Sequence, residues 1–444
     1  MLMPSLDTSI ANASLPALAQ GFGASFQAAQ SIVLAYLLAI TTLIIGAGRL
    51  GDMLGRRRML LAGIALFTAA SALCGVAPTL AWLLGARALQ GLGAALMMAL
   101  SIASVGDAVA REKAGSAMGL LGAMSAIGTT LGPALGGMLS AGFGWRAIFL
   151  VNIPLGVANF ALAWRALPVD RPAGAGARGR FDVAGMLVLA LTLGAYALAL
   201  TLKRGHFGAL KLALLLGAGA GVMAFLKIEA SAASPLISLA LLRQRALRFS
   251  LAMSMLVTTV LMSTLVIGPF YLARALGLGA TQVGLALAAG PLLAALGGVP
   301  AGRCVDRFGA PRMTLTGLAG IVLACALLAA LPMRVGLAGY LLPIACMTSS
   351  YALFQAANNT RMMARVAPGQ RGVVSGLISL ARNLGLITGA SLMGALFAGT
   401  AVQGDMAAAP PATVAAGMHH AFMAGAALAA IALSLAIAGA RRRE

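Results

Sequence analysis

The constraint that dominates this chain is a succession of apolar stretches of about 20 residues, each ended by a short polar connector. Residues 31–47, SIVLAYLLAITTLIIGA, hold no Asp, Glu, Lys or Arg, and the break that follows, GRLGDMLGRRR at 48–58, is dense in charge. A helix of about 20 apolar residues crosses the hydrocarbon of a bilayer while satisfying its own backbone polar groups. Such stretches fall near 2–20, 31–50, 59–77, 79–106, 115–141, 147–165 and 183–202, and again near 209–228, 249–273, 281–301, 313–332, 336–357, 373–400 and 418–440. They predict an all-α membrane protein of fourteen transmembrane helices. Composition agrees: 61% of the 444 residues are hydrophobic and 9% charged, against roughly 25% charged in a soluble domain, and the mean hydropathy is +0.97.

The net charge of +21 would in a soluble protein suggest a nucleic-acid partner. Here the arginines form short clusters between apolar runs rather than a solvated basic face, so membrane topology accounts for them and no nucleic acid is expected. With the amino terminus in the cytoplasm, 23 of the 31 Lys and Arg fall in cytoplasmic loops and the tail. Six fall on the opposite side: Arg146, Lys203, Arg204, Lys211, Arg274 and Arg334. This asymmetry predicts that both termini are cytoplasmic.

Cys74, Cys304, Cys325 and Cys346 are far apart in or beside apolar segments, with no disulfide or metal spacing. His206, His419 and His420 lie near expected external loops and argue for no metal, and no GxxxxGK[ST] phosphate loop occurs. Neither enzyme chemistry nor a cofactor is expected. The start of the chain lacks a charged n-region and an A-x-A-like cleavage site, so the first span is expected to be retained.

The longest polar linker, LPVDRPAGAGARGRFD at 167–182, follows the sixth stretch, and QGDMAAAPPATVAA at 403–416, without Lys or Arg, suits an external loop. An internal repeat sharpens the division. GRLGDMLG at 48–55 returns as GRCVDRFG at 302–309, with Gly48/Gly302, Arg49/Arg303, Asp52/Asp306 and Gly55/Gly309 in register, each copy after the second helix of a six-helix unit. The expected organisation is an N-terminal bundle at 1–166, a cytoplasmic linker at 167–182, two inserted helices with their loop at 183–248, and a C-terminal bundle with a basic tail at 249–444.

GRLGDMLGRRR resembles the signature between the second and third helices of the major facilitator superfamily, and the fourteen-helix layout resembles its drug:proton antiporter branch. LDTSIANASLP at 6–16 is similar to the first-helix motif of that branch, RALQGLGAA at 87–95 to the fourth-helix motif, and GTTLGPALGG at 128–137 to the fifth-helix antiporter motif, followed by WRAIFLVNIP at 145–154. The resemblance covers essentially the whole chain and implies a major facilitator fold of two six-helix bundles with two inserted helices. Family members usually have a longer segment before the first-helix aspartate, so this helix is expected to enter the bilayer short, with Asp7 near its start.

Asp52 follows Gly48 by one helical turn where the chain must reverse, and a carboxylate there can accept N–H bonds from a neighbouring helix start. The resemblance implies a latch between the bundles, carried to Gly48, Asp52, Gly55 and Arg56 and to the repeat residues Gly302, Asp306, Arg307 and Gly309; the arginine run also serves as a topology determinant. Asp7 is the one acid expected inside a span, where burial costs several kcal/mol unless it is paired or protonated. The resemblance implies that proton influx drives this branch, so proton coupling is expected at Asp7 and at Arg87; the alternatives are an interfacial acid and an arginine bonded to backbone carbonyls.

Gly128, Gly132 and Gly136 recur every fourth residue and, with Gly137 and Pro133, form a smooth, kinked helix face. As part of the fifth-helix motif they imply an exporter. Asn12, Gln90, Gln355, Asn358, Asn359 and Arg382 are expected at a substrate cavity, with helix–helix hydrogen bonding as the competing use. The 23 methionines suit an adaptable cavity.

The function expected is proton-coupled export of amphipathic drugs or small metabolites by alternating access between the bundles. The alternatives are a dedicated exporter of one endogenous metabolite and, from another class, a transport-inactive sensor or scaffold on the same fold. The partners expected are protons, a small amphipathic substrate and the lipid bilayer, with a monomer as the assembly and a bacterial cytoplasmic membrane as the location, since Arg far outnumbers Lys as in a GC-rich coding sequence.

Overall fold

The computed structural model describes residues 1–24, 26–168, 170, 182–201, 208–232, 235–364, 366–401 and 410–441. Most of the linker expected at 167–182, residues 403–409 of the loop expected at 403–416, His206 and Arg442–Arg443 lie outside the described residues, and residues 411–416 of that loop are helical instead. Every regular element among those described is helical.

The chain runs through α1 (Leu2–Ala13), α2 (Leu15–Gly21), α3 (Phe26–Leu54), α4 (Arg56–Gly75), α5 (Leu80–Ala108), α6 (Ala114–Phe143), α7 (Ala147–Leu150) and α8 (Asn152–Ala166). It continues through α9 (Val183–Thr201), α10 (Ala209–Ser231), α11 (Leu239–Arg243), α12 (Arg245–Phe270), α13 (Ala280–Phe308), α14 (Ala310–Ala330), α15 (Gly336–Met363), α16 (Arg371–Ala401) and α17 (Pro411–Arg441). Thirteen helical segments among the described residues are long and apolar enough to cross a membrane, α7 and α8 counting together as Ala147–Ala166. The expected first helix is the fourteenth segment and differs from expectation in being split. α1 and α2 break at Ser14 (φ −94°, ψ 7°), ahead of Pro16, which has no N–H to continue the helical ladder.

In the first half α3 packs on α5, α4 on α5 and α8, and α1 on α6; in the second, α12 packs on α16 and α17, and α14 on α15 and α17. The halves meet along α6 against α13 and α3 against α16, while α9 pairs with α10 and leans on α3. A core around Val257, Ile321, Tyr340, Phe354 and Phe422 joins α12, α14, α15 and α17. A separate one around Leu6, Ile10, Ile32 and Phe149 joins α1, α3 and α7.

The repeat has one backbone conformation in both copies. Gly55 (φ 101°, ψ 133°) ends α3 and opens α4, and Gly309 (φ 86°, ψ 142°) ends α13 and opens α14. A positive φ of this kind is accessible to glycine at no steric cost, which is why both copies place glycine at the reversal.

Candidate functional site

Asp7, Arg87 and Gln90 meet in the middle of the first half of the molecule. Arg87 Nη1 donates to Asp7 Oδ2 at 2.5 Å and to Gln90 Oε1 at 2.6 Å. Gln90 Nε2 donates to Asp7 Oδ1 at 2.9 Å and to Ser71 Oγ at 2.8 Å. Asn152 Nδ2, from the first turn of α8, completes the carboxylate's shell with a bond to Asp7 Oδ1 at 2.8 Å. Arg87 also donates Nε–H to the Ile32 carbonyl at 3.3 Å and lies 4.2 Å over the Tyr36 ring. Five helices, α1, α3, α4, α5 and α8, thus converge on one ion pair whose members are 1% and 0% exposed.

Such depth is tolerable because each charge is both paired and hydrogen-bonded. Gln90 and Arg87 share a helix face because they are three residues apart. Gly91 lets α5 approach α3: a Cβ there would stand 2.7 Å from the Tyr36 carbonyl oxygen.

The second cluster lies where the halves meet, at the end of the molecule that carries the arginine clusters. Asp52, near the end of α3, accepts from the N–H groups of Gly372 (2.9 Å) and Val373 (3.1 Å), the second and third residues of α16. Asp306, near the end of α13, accepts from the N–H groups of Gly115 (2.7 Å) and Ser116 (2.9 Å), the second and third residues of α6, and from the Ser116 hydroxyl at 2.5 Å. The first helical N–H groups have no partner within their own helix and carry the positive end of its dipole, so a carboxylate supplied from the other half is a matched acceptor. Arg56 Nη2 holds Asp52 Oδ1 at 2.9 Å. The same chemistry recurs a third time, within one half: Asp170 accepts from the N–H groups of Arg57 (2.9 Å) and Arg58 (3.0 Å) at the start of α4.

Glycine makes both clasps geometrically possible. A Cβ at Gly48 would overlap the Gly372 carbonyl, and one at Gly302 the Gly115 carbonyl. Arg307, expected in the second clasp, is exposed and lies over the Phe308 ring at 5.3 Å. It follows Asp306 directly, and neighbouring residues on a helix point to different faces.

A cavity of about 200 Å³ opens between the halves. Ser125 and Thr129 of α6 line one side, with Leu261 and Thr264 of α12, Pro291 of α13, Tyr340, Thr348, Tyr351 and Gln355 of α15, and Arg382 of α16 around the rest. Of the six residues expected at a substrate cavity, Gln355 and Arg382 line it, and the other four do not. Gln90 belongs to the buried Asp7 network. Asn12 is exposed, with its amide bonded to the Thr8 carbonyl of its own helix at 3.0 Å. Asn358 bridges α15 to α12, donating to the Ser250 carbonyl (3.1 Å) and the Ser254 hydroxyl (2.9 Å), the competing helix–helix use. Asn359, the next residue, turns off that bridging face and is half-buried outside the cavity.

The glycine face of α6 packs against α1. A Cβ at Gly128 would stand 2.6 Å from the Leu2 carbonyl oxygen, one at Gly132 would overlap Ser9, and one at Gly136 would stand 3.0 Å from the Ile10 carbonyl oxygen. Gly137 differs: a Cβ there meets nothing within 4 Å, because one residue's advance turns it off the packed face. Pro133 has no N–H for the Thr129 carbonyl, and the Ser9 hydroxyl of α1 supplies the hydrogen instead at 2.8 Å.

Sequence reasoning left Asn152, Ser71, Tyr36 and Ser9 unassigned. Asn152 alone left a legible signal, an amide inside the apolar run FLVNIPL.

The family profile described as Major Facilitator Superfamily matches residues 1–390. The multidrug resistance protein Stp of Mycobacterium tuberculosis is 32% identical over 90% of this chain and 74% of that protein. The riboflavin transporter RibZ of Clostridioides difficile is 29% identical over 90% of this chain and 86% of its own length. Among solved structures, the proton:xylose symporter XylE superposes with a TM-score of 0.66 at 15% identity, covering 98% of this chain and 92% of that one. Helix architecture, sequence relatives and structural neighbours agree, and this chain belongs to the major facilitator superfamily of multi-pass membrane transporters.

Proposed function

We propose that this chain exports small amphipathic compounds in exchange for protons, by alternating access between its two halves. The observation that carries the proposal is the Asp7–Arg87 ion pair, sealed among five helices and held by Gln90 and Asn152. A proton arriving at Asp7 competes with Arg87 for the carboxylate. Once Asp7 is neutral, the reason for α1 to stay clamped against α5 and α8 is weakened.

The consequence reaches the cavity through α6. Ser5 of α1 meets Ser125 of α6 hydroxyl to hydroxyl at 2.6 Å, and Ser9 donates to the Thr129 carbonyl; Ser125 and Thr129 both line the cavity. Displacement of α1 therefore bears on the cavity wall. The Asp52 and Asp306 clasps hold the halves together at the arginine-rich face, which the Lys and Arg tally assigns to the cytoplasm, with both termini on that side. Opening the molecule to that side requires both clasps to release, so in this reading the clasped form is the outward-facing one. Cavity, ion pair and clasps all reside in one chain, so the working unit is a monomer of two bundles, 1–166 and 249–444, with the inserted helices of 183–248 beside them.

Reconstitution into proteoliposomes tests this. An imposed pH gradient drives efflux of an amphipathic dye through the wild type, and Asp7→Asn abolishes the pH dependence. Efflux that ignores the gradient, or that survives Asp7→Asn unchanged, rules the proposal out. A second reading, a dedicated exporter of one metabolite, is favoured by the relative named as a riboflavin transporter. It is separated by whether one compound alone competes with dye efflux. A scaffold would tolerate Arg87→Ala in every assay.

A further inference from the structure

The cavity between the halves is lined by small apolar groups and hydroxyls and holds one charged side chain among its described lining residues, Arg382. No Asp or Glu is among those described lining residues. Arg382 stands eleven residues after Arg371 opens α16, about 16 Å along the helix at 1.5 Å per residue, near the middle of a membrane span. Its Nε–H is buried and has no hydrogen-bond partner, and no ion pair joins its guanidinium to a carboxylate among the described residues. The contrast with Arg87 is instructive, since that arginine has an aspartate, a glutamine and a backbone carbonyl around it.

A guanidinium at this depth, without a protein anion beside it, is an incomplete arrangement. Buried charges in membrane proteins are paired or face a functional cavity, and Arg382 faces a cavity. Its planar fork matches the two oxygens of a carboxylate better than it matches any neutral group. A second donor is at hand. Tyr351 accepts from Gln355 Nε2 at 3.1 Å, which leaves its own O–H to donate, and it lies within the electrostatic reach of Arg382. Apolar walls from Leu261, Leu265 and Ile344 take the greasy part of a ligand. A cation in the same space would meet an uncompensated like charge, which at a separation of about 8 Å and an effective dielectric of about 20 lowers its affinity by roughly one to two orders of magnitude.

We propose that the substrates of this transporter are amphipathic organic anions, with a carboxylate seated on Arg382 and Tyr351 and the apolar body against α6, α12 and α13. This rests on the export reading above only for the direction of movement; the preference for an anion rests on the cavity itself.

Three probes with one fluorophore and three charges test it: dansyl-leucine, its methyl ester, and dansylcadaverine, a carboxylate, a neutral ester and an amine. Binding to the purified full chain is followed by dansyl fluorescence, and movement in proteoliposomes under an imposed pH gradient. The carboxylate binds the wild type at least tenfold more tightly than the ester or the amine. Arg382→Gln removes that tenfold advantage by weakening the acid far more than the ester, Arg382→Lys keeps part of it, and Arg382→Glu makes the amine the preferred probe. The wild-type comparison of acid with ester involves no mutation, so a poorly folded variant does not blur the result. Equal or tighter binding of the amine by the wild type overturns the proposal, as does an Arg382→Gln protein with unchanged affinity for the acid. Movement of all three probes without charge preference also overturns it while leaving proton-driven export standing. Arg382-dependent binding of the acid with no pH-driven movement supports the anion site and instead defeats the export reading.

Discussion

Asp7 and Arg87, eighty positions apart in the chain, form an ion pair at 2.5 Å from which solvent is all but excluded. Removing one partner strands the other charge, at a cost of about 3–5 kcal/mol. Arg87→Ala is expected near the lower end, because Gln90 and Asn152 still hold the Asp7 carboxylate. Thermal unfolding of the purified protein reports the destabilisation. Gln90→Ala in the Arg87→Ala background costs more than it does alone, since Gln90 is then one of two side-chain donors, with Asn152, left to Asp7.

The Asp52 clasp stabilises closure of the arginine-rich face. Two N–H bonds to a carboxylate at a helix start, lost in Asp52→Ala, weaken that closure by about 1.5–2 kcal/mol, a shift of tenfold or more toward the open form. Ser375, whose hydroxyl bonds the Ala99 carbonyl across α16 and α5 at 2.5 Å, lies beside the clasp. In a cysteine-free background, Ser375→Cys becomes at least tenfold faster to label with a membrane-impermeant maleimide once Asp52→Ala is added. Asp306→Ala has the same effect through the other clasp.

Ser9 and Pro133 act as a pair. Ser9→Ala leaves the Thr129 carbonyl without its hydrogen and costs about 1 kcal/mol. In a Pro133→Ala background the restored N–H of residue 133 serves that carbonyl from within α6, and Ser9→Ala becomes nearly neutral. A double-mutant cycle on unfolding free energies measures the difference, and additivity of the two changes would show that Ser9 has some other use.

Glycines of one motif separate by face. Gly132→Ala forces a methyl into Ser9 and pushes α1 away from α6, lowering stability by about 1–3 kcal/mol and slowing transport. Gly137→Ala meets open space and raises helix propensity, so it is neutral or stabilising by about 0.5–1 kcal/mol. Melting curves for the two variants, five residues apart, are expected to separate, with Gly132→Ala moving down and Gly137→Ala staying in place or moving up.

Much of this molecule was legible before any tertiary contact was known. Apolar length and arginine placement are properties of contiguous chain, so the membrane class and thirteen of the fourteen expected spans followed from residues 2–440 read in order. The repeat at 48–55 and 302–309 likewise marked Asp52, Asp306 and the glycines at their reversals, because a positive φ writes itself into sequence as glycine. The break of the first segment at Ser14 was less visible, since one proline near a helix end kinks some helices and merely opens others.

What only the folded chain decided was pairing. Asp52 accepts hydrogen bonds from backbone N–H groups 320 and 321 positions away, and a backbone donor leaves no trace in residue identity. Gln90 and Arg382 are both polar residues inside apolar helices, and nothing local distinguishes them; packing placed the first on Asp7 and left the second facing a cavity with no acid among its described lining residues. Helix periodicity tells which residues share a face, but the partner that covers that face is chosen by the arrangement of whole helices. That arrangement gave Arg87 a counter-charge and, among the described residues, left Arg382 without one.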